Sequence, residues 1–325
     1  MAGEIPSSEL LKFTHKDTSL IDRRSFLFAA ITAPALAAGK SFDYGRIAVL
    51  TDEVAKSPAD AISFARQYNL NWVELRSVPG GKGSYSSLDE PELRQTAAAL
   101  KAAGLRVSFL NTGLLKFQLP GTERVNPRQE SPAQSAARLA AEQTRFDRRI
   151  DDLKLAIRSA HIFEVDKIRV FAFSRALHPA STYQRVATII GEMAEVARKE
   201  GIHLLLENEE SCNVATTSEA VELLKLLPPS VGLNWDPGNT LEFDEKPFPE
   251  GYRLLPKDRL MNVQIKARNL LPQYNQPIDW TGIFSALAAD GYTGKVGLET
   301  HIFDGSLIEA AHKCLVEIRR ILNVT

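Results

Sequence analysis

From Arg46 onward, short apolar and β-branched runs alternate with segments whose apolar residues recur every three to four positions. The first pattern predicts strands and the second amphipathic helices. "RIAVL" (46–50) predicts a strand, and "SPADAISFARQYNL" (57–70) a helix with Ser57 as N-cap and Pro58 at the first helical position. Then come strand "NWVELR" (71–76), helix "DEPELRQTAAALKAAG" (89–104) and strand "LRVSFLN" (105–111). Residues 112–130, rich in Gly, Pro and polar groups, predict a long loop, and a single long helix from Ser131 to Phe163 follows.

The second half repeats the alternation. Strands are predicted at "DKIRVFAF" (166–173), "IHLLLE" (202–207), "SVGLNW" (230–235), "RLMNVQIK" (259–266) and "GKVGLE" (294–299). The intervening helices cover residues 182–201, 216–227 and 279–291, and a last one covers 306–322. Residues 236–258 read as loop with a short helix near Gly251 to Leu255. Strict alternation implies parallel strands. Eight of them in about 280 residues predict a (β/α)8 TIM barrel of the α/β class, with a doubly wound open sheet as the alternative. With no linker or break in composition, residues 40–325 read as one domain.

Ahead of it, "DRRSFLFAAITAPALAAGK" holds twin arginines, Arg23 and Arg24, then an uncharged stretch ending in the small-residue run Ala35-Leu36-Ala37. The apolar part is shorter than the roughly 20 residues of a membrane span. Residues 1–39 therefore read as a twin-arginine secretory signal segment, with a buried N-terminal helix as the alternative. The expected partner is the twin-arginine export machinery, and the expected location is periplasmic or otherwise exported.

Bulk composition narrows the chemistry. The 325 residues are 44% hydrophobic and 24% charged with a net charge of -1, ample for a full core and without the basic excess of a nucleic-acid binder. Two cysteines, Cys212 and Cys314, are too few for a disulfide framework and lack metal-site spacing.

Several predicted strands end on polar or acidic residues: Glu74, Asn111, Glu207 with Asn208 and Glu209, Asp236 with Asn239, Gln264 with Lys266, and Glu299 with His301. In a barrel these ends converge on the catalytic rim. One such acid alone could cap a helix, salt-bridge a neighbour or, as in "LNWDPGN", make a turn. Clustered carboxylates need a compensating cation or a shared proton. Three carboxylates and an amide oxygen suit a hard divalent ion, Mn²⁺ or Mg²⁺ before Co²⁺ or Zn²⁺.

The strings "TDEV", "VELR", "LLLENEE", "WDPGN", "PFPEGYRLL" and "GLETHIFDG", in that order and spacing, resemble the sugar phosphate isomerase/epimerase family, the xylose isomerase-like TIM barrels. The likeness covers residues 45–322. It implies a divalent metal held by Glu207, Asp236, the residue at 264 and Glu299. It also implies Glu207 and Glu299 as an acid/base pair, and an assembly that is often a homodimer. This chain departs from the family's "V-H-x-K-D" string, reading "VQIKA", so Gln264 stands for the His and Ala267 for the Asp. Lys266 and His301 are expected to contact substrate hydroxyls or orient a carboxylate; salt bridging for Lys266 and helix capping for His301 are their alternatives. Glu74, Asn111, Glu209 and Asn239 are expected to face a small sugar or sugar derivative.

The implied function is an isomerase or epimerase that abstracts a proton beside a carbonyl through an enediolate. Lyase chemistry on a keto-sugar or polyol derivative starts with the same step, and a carbohydrate-binding barrel without catalysis is the third reading. Nuclease activity, found in a distant branch, uses metal-ligating histidine clusters and a basic groove; the six histidines here are scattered.

Overall fold

The structure, a computed structural model, describes residues 41–324 apart from 82 and 126–128; the expected signal segment lies outside the described residues. Eight strands run parallel: β1 (Ile47–Leu50), β2 (Trp72–Leu75), β3 (Arg106–Leu114), β4 (Lys167–Val170), β5 (His203–Glu207), β6 (Gly232–Trp235), β7 (Leu260–Ile265) and β8 (Lys295–Leu298). Each pairs with the next, and β8 pairs back onto β1, closing the barrel. The open-sheet alternative is thereby excluded.

The longer helices are α1 (Pro58–Gln67), α2 (Glu90–Ala102), α3 (Pro132–Asp147), α4 (Arg149–Ile162), α5 (Tyr183–Lys199), α6 (Thr217–Leu226), α7 (Trp280–Ala289) and α8 (Leu307–Ile321). Their starts are written in side chains that satisfy orphan backbone N–H groups. Ser57 and Asp89 accept from the amides of Asp60 and Glu92. Ser131 with Gln134, and Thr216 with Glu219, form full capping boxes.

Alternation along the strands sorts two environments. Ile47, Val49, Val73, Leu75, Leu204, Leu206, Val296 and Leu298 join the apolar core between sheet and helices. The positions between them, among them Glu74, Glu207 and Glu299, turn toward the barrel axis, as a period of two requires. Trp235 joins the core on the helix side, its indole Nε1 donating to Thr217 Oγ1 at 3.0 Å. Trp280 lies in the helix core, its ring tilted against Phe284 and its Nε1 donating to the Asn269 carbonyl.

Three boundaries differ from the sequence reading. The long helix is two, broken at Arg148. There the Arg149 guanidinium covers the Phe146 ring and donates to the Phe146 carbonyl, which also accepts from the Arg148 amide. Strand β3 runs on to Leu114, into the expected loop, because its last residues still pair with β4 through an irregular register. Strand β4 stops at Val170 rather than 173.

Candidate active site at the carboxyl ends of the strands

"LNWDPGN" brings Asp236 to the end of β6. Its Oδ1 accepts from the amides of Gly238 (2.8 Å) and Asn239 (3.3 Å), so the turn reading holds for one oxygen. Its Oδ2 faces Lys266 Nζ at 2.9 Å. Asn208 clamps the backbone, donating to the Asp236 carbonyl at 2.7 Å and accepting from its amide at 2.9 Å. Gly238 is required here: a Cβ would meet Asn269 Oδ1 at 2.1 Å.

Around this turn each carboxylate predicted to bind metal has a cation of the chain beside it. Arg169, from the middle of β4, places Nη1 3.3 Å from both oxygens of Glu207. Asn234 Nδ2 makes a very short bond to the same carboxylate. Arg76 Nη1 lies 2.8 Å from Glu299 Oε1, and the same guanidinium holds Asp52 and Glu53. Lys266 Nζ contacts Asp236 and donates to Asn239 Oδ1 at 2.5 Å. Outside these, Lys116 pairs with Glu209 at 3.0 Å. Glu207, Asp236, Lys266 and Arg169 are all buried.

A second layer lies deeper. Glu74 is wholly buried and accepts from three amides: Asn111 Nδ2 and Gln264 Nε2 at 2.8 Å, and Asn262 Nδ2 at 2.9 Å. These leave the buried oxygens Asn111 Oδ1 and Gln264 Oε1 without a hydrogen-bond partner among the described residues. Glu74 fills the space over Gly297, where a Cβ would come within 2.1 Å of its Oε1.

Burial and charge divide the two candidate acid/base groups. Burial pushes Glu207 up to about 7, against Arg169. Burial also works to raise Glu299, but Lys266, Arg76 and Arg169 outweigh it and hold that carboxyl down at about 2. Lys266 is held firmly protonated: burial opposes its charge, and Asp236, Glu299 and Glu209 more than restore it.

The expected residues thus sort into three groups. Glu207, Glu209, Asp236, Asn239, Lys266 and Glu299 share the charged rim, while Glu74, Asn111 and Gln264 form the layer beneath. His301 stands at the edge with a left-handed backbone (φ 54°), its amide donating to Glu53 Oε2 at 2.6 Å. It does not cap α8, whose N-cap is Ser306. Sequence reading missed Arg169, Asn234, Asn262, Lys116 and Glu53. A signal was present for the first three, since each is a polar residue inside a buried strand run.

The comparisons agree with this architecture. The family model described as xylose isomerase-like TIM barrel matches residues 62–318. The chain belongs to that family. No curated protein matches the sequence. Among solved structures, an IolI protein with a bound zinc atom aligns at 15% identity and TM-score 0.63, covering 86% of this chain and 98% of that one. The 3-keto-D-glucoside 4-epimerase YcjR from E. coli aligns at 14% and 0.61, covering 86% and 99%. The probable 3-DHS dehydratase AsbF from Bacillus anthracis aligns at 15% and 0.58, covering 84% and 98%. At these identities the likeness is one of fold.

The divalent ion implied for a xylose isomerase-like barrel would find two open oxygens in the expected ligand set, since Asp236 Oδ2 and Gln264 Oε1 are buried and have no hydrogen-bond partner among the described residues. Gln264 offers one neutral oxygen, and its amide nitrogen is committed to Glu74. The three carboxylates already hold Arg169, Lys266 and Arg76. Among the described residues, the set of three acidic, His or Cys side chains whose ligand atoms lie within 4.8 Å of one another is Glu53, Glu299 and His301, not the expected one. Arg76 donates to both carboxylates of that set.

Proposed function

We propose that the chain is an isomerase or epimerase of a sugar or sugar derivative, exported folded through the twin-arginine route, that moves a proton at a carbon beside a carbonyl. The observation that carries this reading is geometric: two buried carboxyls, Glu207 at the end of β5 and Glu299 just beyond β8, share one rim with the cations Arg169, Lys266 and Arg76. Glu299 is kept ionised by neighbouring cations, while Glu207 is pushed toward its protonated form by burial. Two titratable groups driven apart by their surroundings make a base and an acid.

In this reading Glu299 takes the proton from the substrate carbon, leaving an enediolate and a neutral Glu299. The Glu207 carboxyl then gives its own proton to that carbon, and exchange with solvent restores both groups. Negative charge building on the substrate oxygen meets the N–H donors of Lys266 and Arg169, preorganised and largely shielded from water. The unpartnered Asn111 Oδ1 and Gln264 Oε1 are acceptors suited to sugar hydroxyls.

Deuterium exchange tests this. Incubating a panel of ketoses and keto-glycosides in D2O should label the carbon beside the carbonyl, as read by NMR, and Glu299→Gln should abolish the label. A panel with no exchange sinks the reading; a sugar that still raises the melting temperature would then favour a binding barrel. Lyase chemistry has support in the fold shared with the probable dehydratase AsbF. It would reveal itself by loss of water and the ultraviolet absorbance of an enone.

A further inference from the structure

Where the family's string has His, this chain has Gln264, and a glutamine poses a difficulty of its own. Its amide has two ends of nearly equal size, and only the oxygen can ligate a cation. We propose that Glu74 settles which end is offered. It is a positioning residue that locks the Gln264 amide and leaves the oxygen for the divalent ion.

The lock follows from what a carboxylate can do. It accepts hydrogen bonds and donates none, so an amide that meets it must turn its nitrogen inward. Gln264 Nε2 donates to Glu74 Oε2 at 2.8 Å, and Gln264 Oε1, on the other branch of that amide, is buried and unpartnered among the described residues. Asn111 repeats the arrangement from β3. Its Nδ2 donates to the same Oε2 at 2.8 Å, and its Oδ1 is likewise left over. Asn262 Nδ2 holds the other oxygen, donating to Glu74 Oε1 at 2.9 Å. Glu74 is wholly buried with both oxygens engaged, so the residue expected to face the sugar serves the ligand behind it instead.

The barrel makes room for this contact. In the pairing of β7 with β8, Gln264 stands opposite Gly297. Glu74 comes from β2, on the far side of β1, and reaches Gln264 across the space that Gly297 leaves open. A Cβ at 297 would stand 2.1 Å from Glu74 Oε1.

The carboxylate also polarises the amide it holds, which makes the free oxygen a better donor of electrons to a cation, as partners behind a metal ligand commonly do. The ion, when bound, would supply Lewis acidity at a carbonyl oxygen. An acceptor for a sugar hydroxyl needs the same thing from Gln264, an oxygen rather than an amino group.

The test is a MnCl2 titration of the full protein after dialysis against chelator, read by calorimetry and by melting temperature. It needs no substrate, so the enolising reading, tested by deuterium exchange, stands or falls separately. The wild type should bind Mn²⁺ at a single site. Glu74→Gln should weaken that site by about 10–100-fold, because its one oxygen cannot hold every neighbour and its amino group draws an amide oxygen toward itself. Gln264→Ala should weaken binding too. Adding Glu74→Gln to it should then change the affinity by less than about twofold, since the oxygen to be positioned is gone. A merely structural Glu74 would cost the same in both backgrounds. The lock is refuted by a wild type that binds no Mn²⁺, or by Gln264→Ala with unchanged affinity. It is refuted equally by a folded Glu74→Gln within about twofold of wild type, or by a loss that persists undiminished on Gln264→Ala. Should Glu74→Gln fail to fold by circular dichroism, Gly297→Ala takes its place. Its methyl displaces Glu74 by contact and should weaken the site in the same way; unchanged binding there overturns the proposal.

Discussion

The two ends of the barrel differ in how they hold charge. At the amino-terminal end of the strands opens a cavity of about 790 Å³, lined by Trp72, Lys167, His203, Tyr292 and Lys295 among others. Its cations stay partly in solvent: Lys167 pairs with an exposed Asp166, and Arg106 and Lys295 lie over the Trp72 ring at 3.9 and 4.3 Å. At the carboxyl end the charges are buried in pairs, with Glu207, Asp236, Lys266 and Arg169 each under 10% exposed. Burying ions costs several kcal/mol each, and an apolar replacement would often serve stability as well. A fold that keeps them at the end where barrel enzymes do their chemistry points to use rather than to stability.

Substitutions can break or sharpen that contrast. The largest effect is expected at the carboxyl rim. Glu299→Gln and Glu207→Gln should each lower the exchange rate by about 10²–10⁴-fold, the worth of a general acid or base, with the fold kept. A rate within twofold of wild type for either would remove that residue from the acid/base pair. Next, Lys266→Met should destabilise by about 3–5 kcal/mol in urea unfolding, since it strands a buried Asp236 carboxylate. Adding Asp236→Asn to it should recover much of that loss, and if the double variant is no more stable than the single, the pair is not what the rim depends on.

Gly297→Ala probes the layer beneath. Its new methyl collides with Glu74, and overpacking of this kind costs about 1–3 kcal/mol. A neutral result there would mean that Glu74 and its three amides yield easily. Smallest of all is the amino-terminal end. Lys167→Ala removes a partly exposed ion pair, worth about 0–1 kcal/mol, and should leave the exchange rate unchanged. A rate loss there comparable to that of Glu299→Gln would overturn the assignment of chemistry to one end.

Much of this was legible in the chain. Period-two strands, N-caps such as Ser57 and Thr216, and the acids at strand ends placed both the barrel and its working rim. Boundaries that depended on partners were less legible. Nothing in the helical periodicity marks Arg148 as a break, and β3 continues only because β4 pairs with it. Asp236 was read as turn or ligand when its two oxygens divide the tasks.

By itself, then, the sequence determined the alternation, the parallel strands and which residues end them, since these follow from local periodicity and capping, while closure of the sheet came from the pairing of β8 with β1. Which cation meets which carboxylate was decided only by tertiary structure. Arg76 and Glu299 are 223 residues apart, Arg169 and Glu207 38, and Gln264 and Glu74 190. An ion pair depends on distances of a few ångström and on exclusion of water. Both quantities exist only once eight strands have closed around one axis.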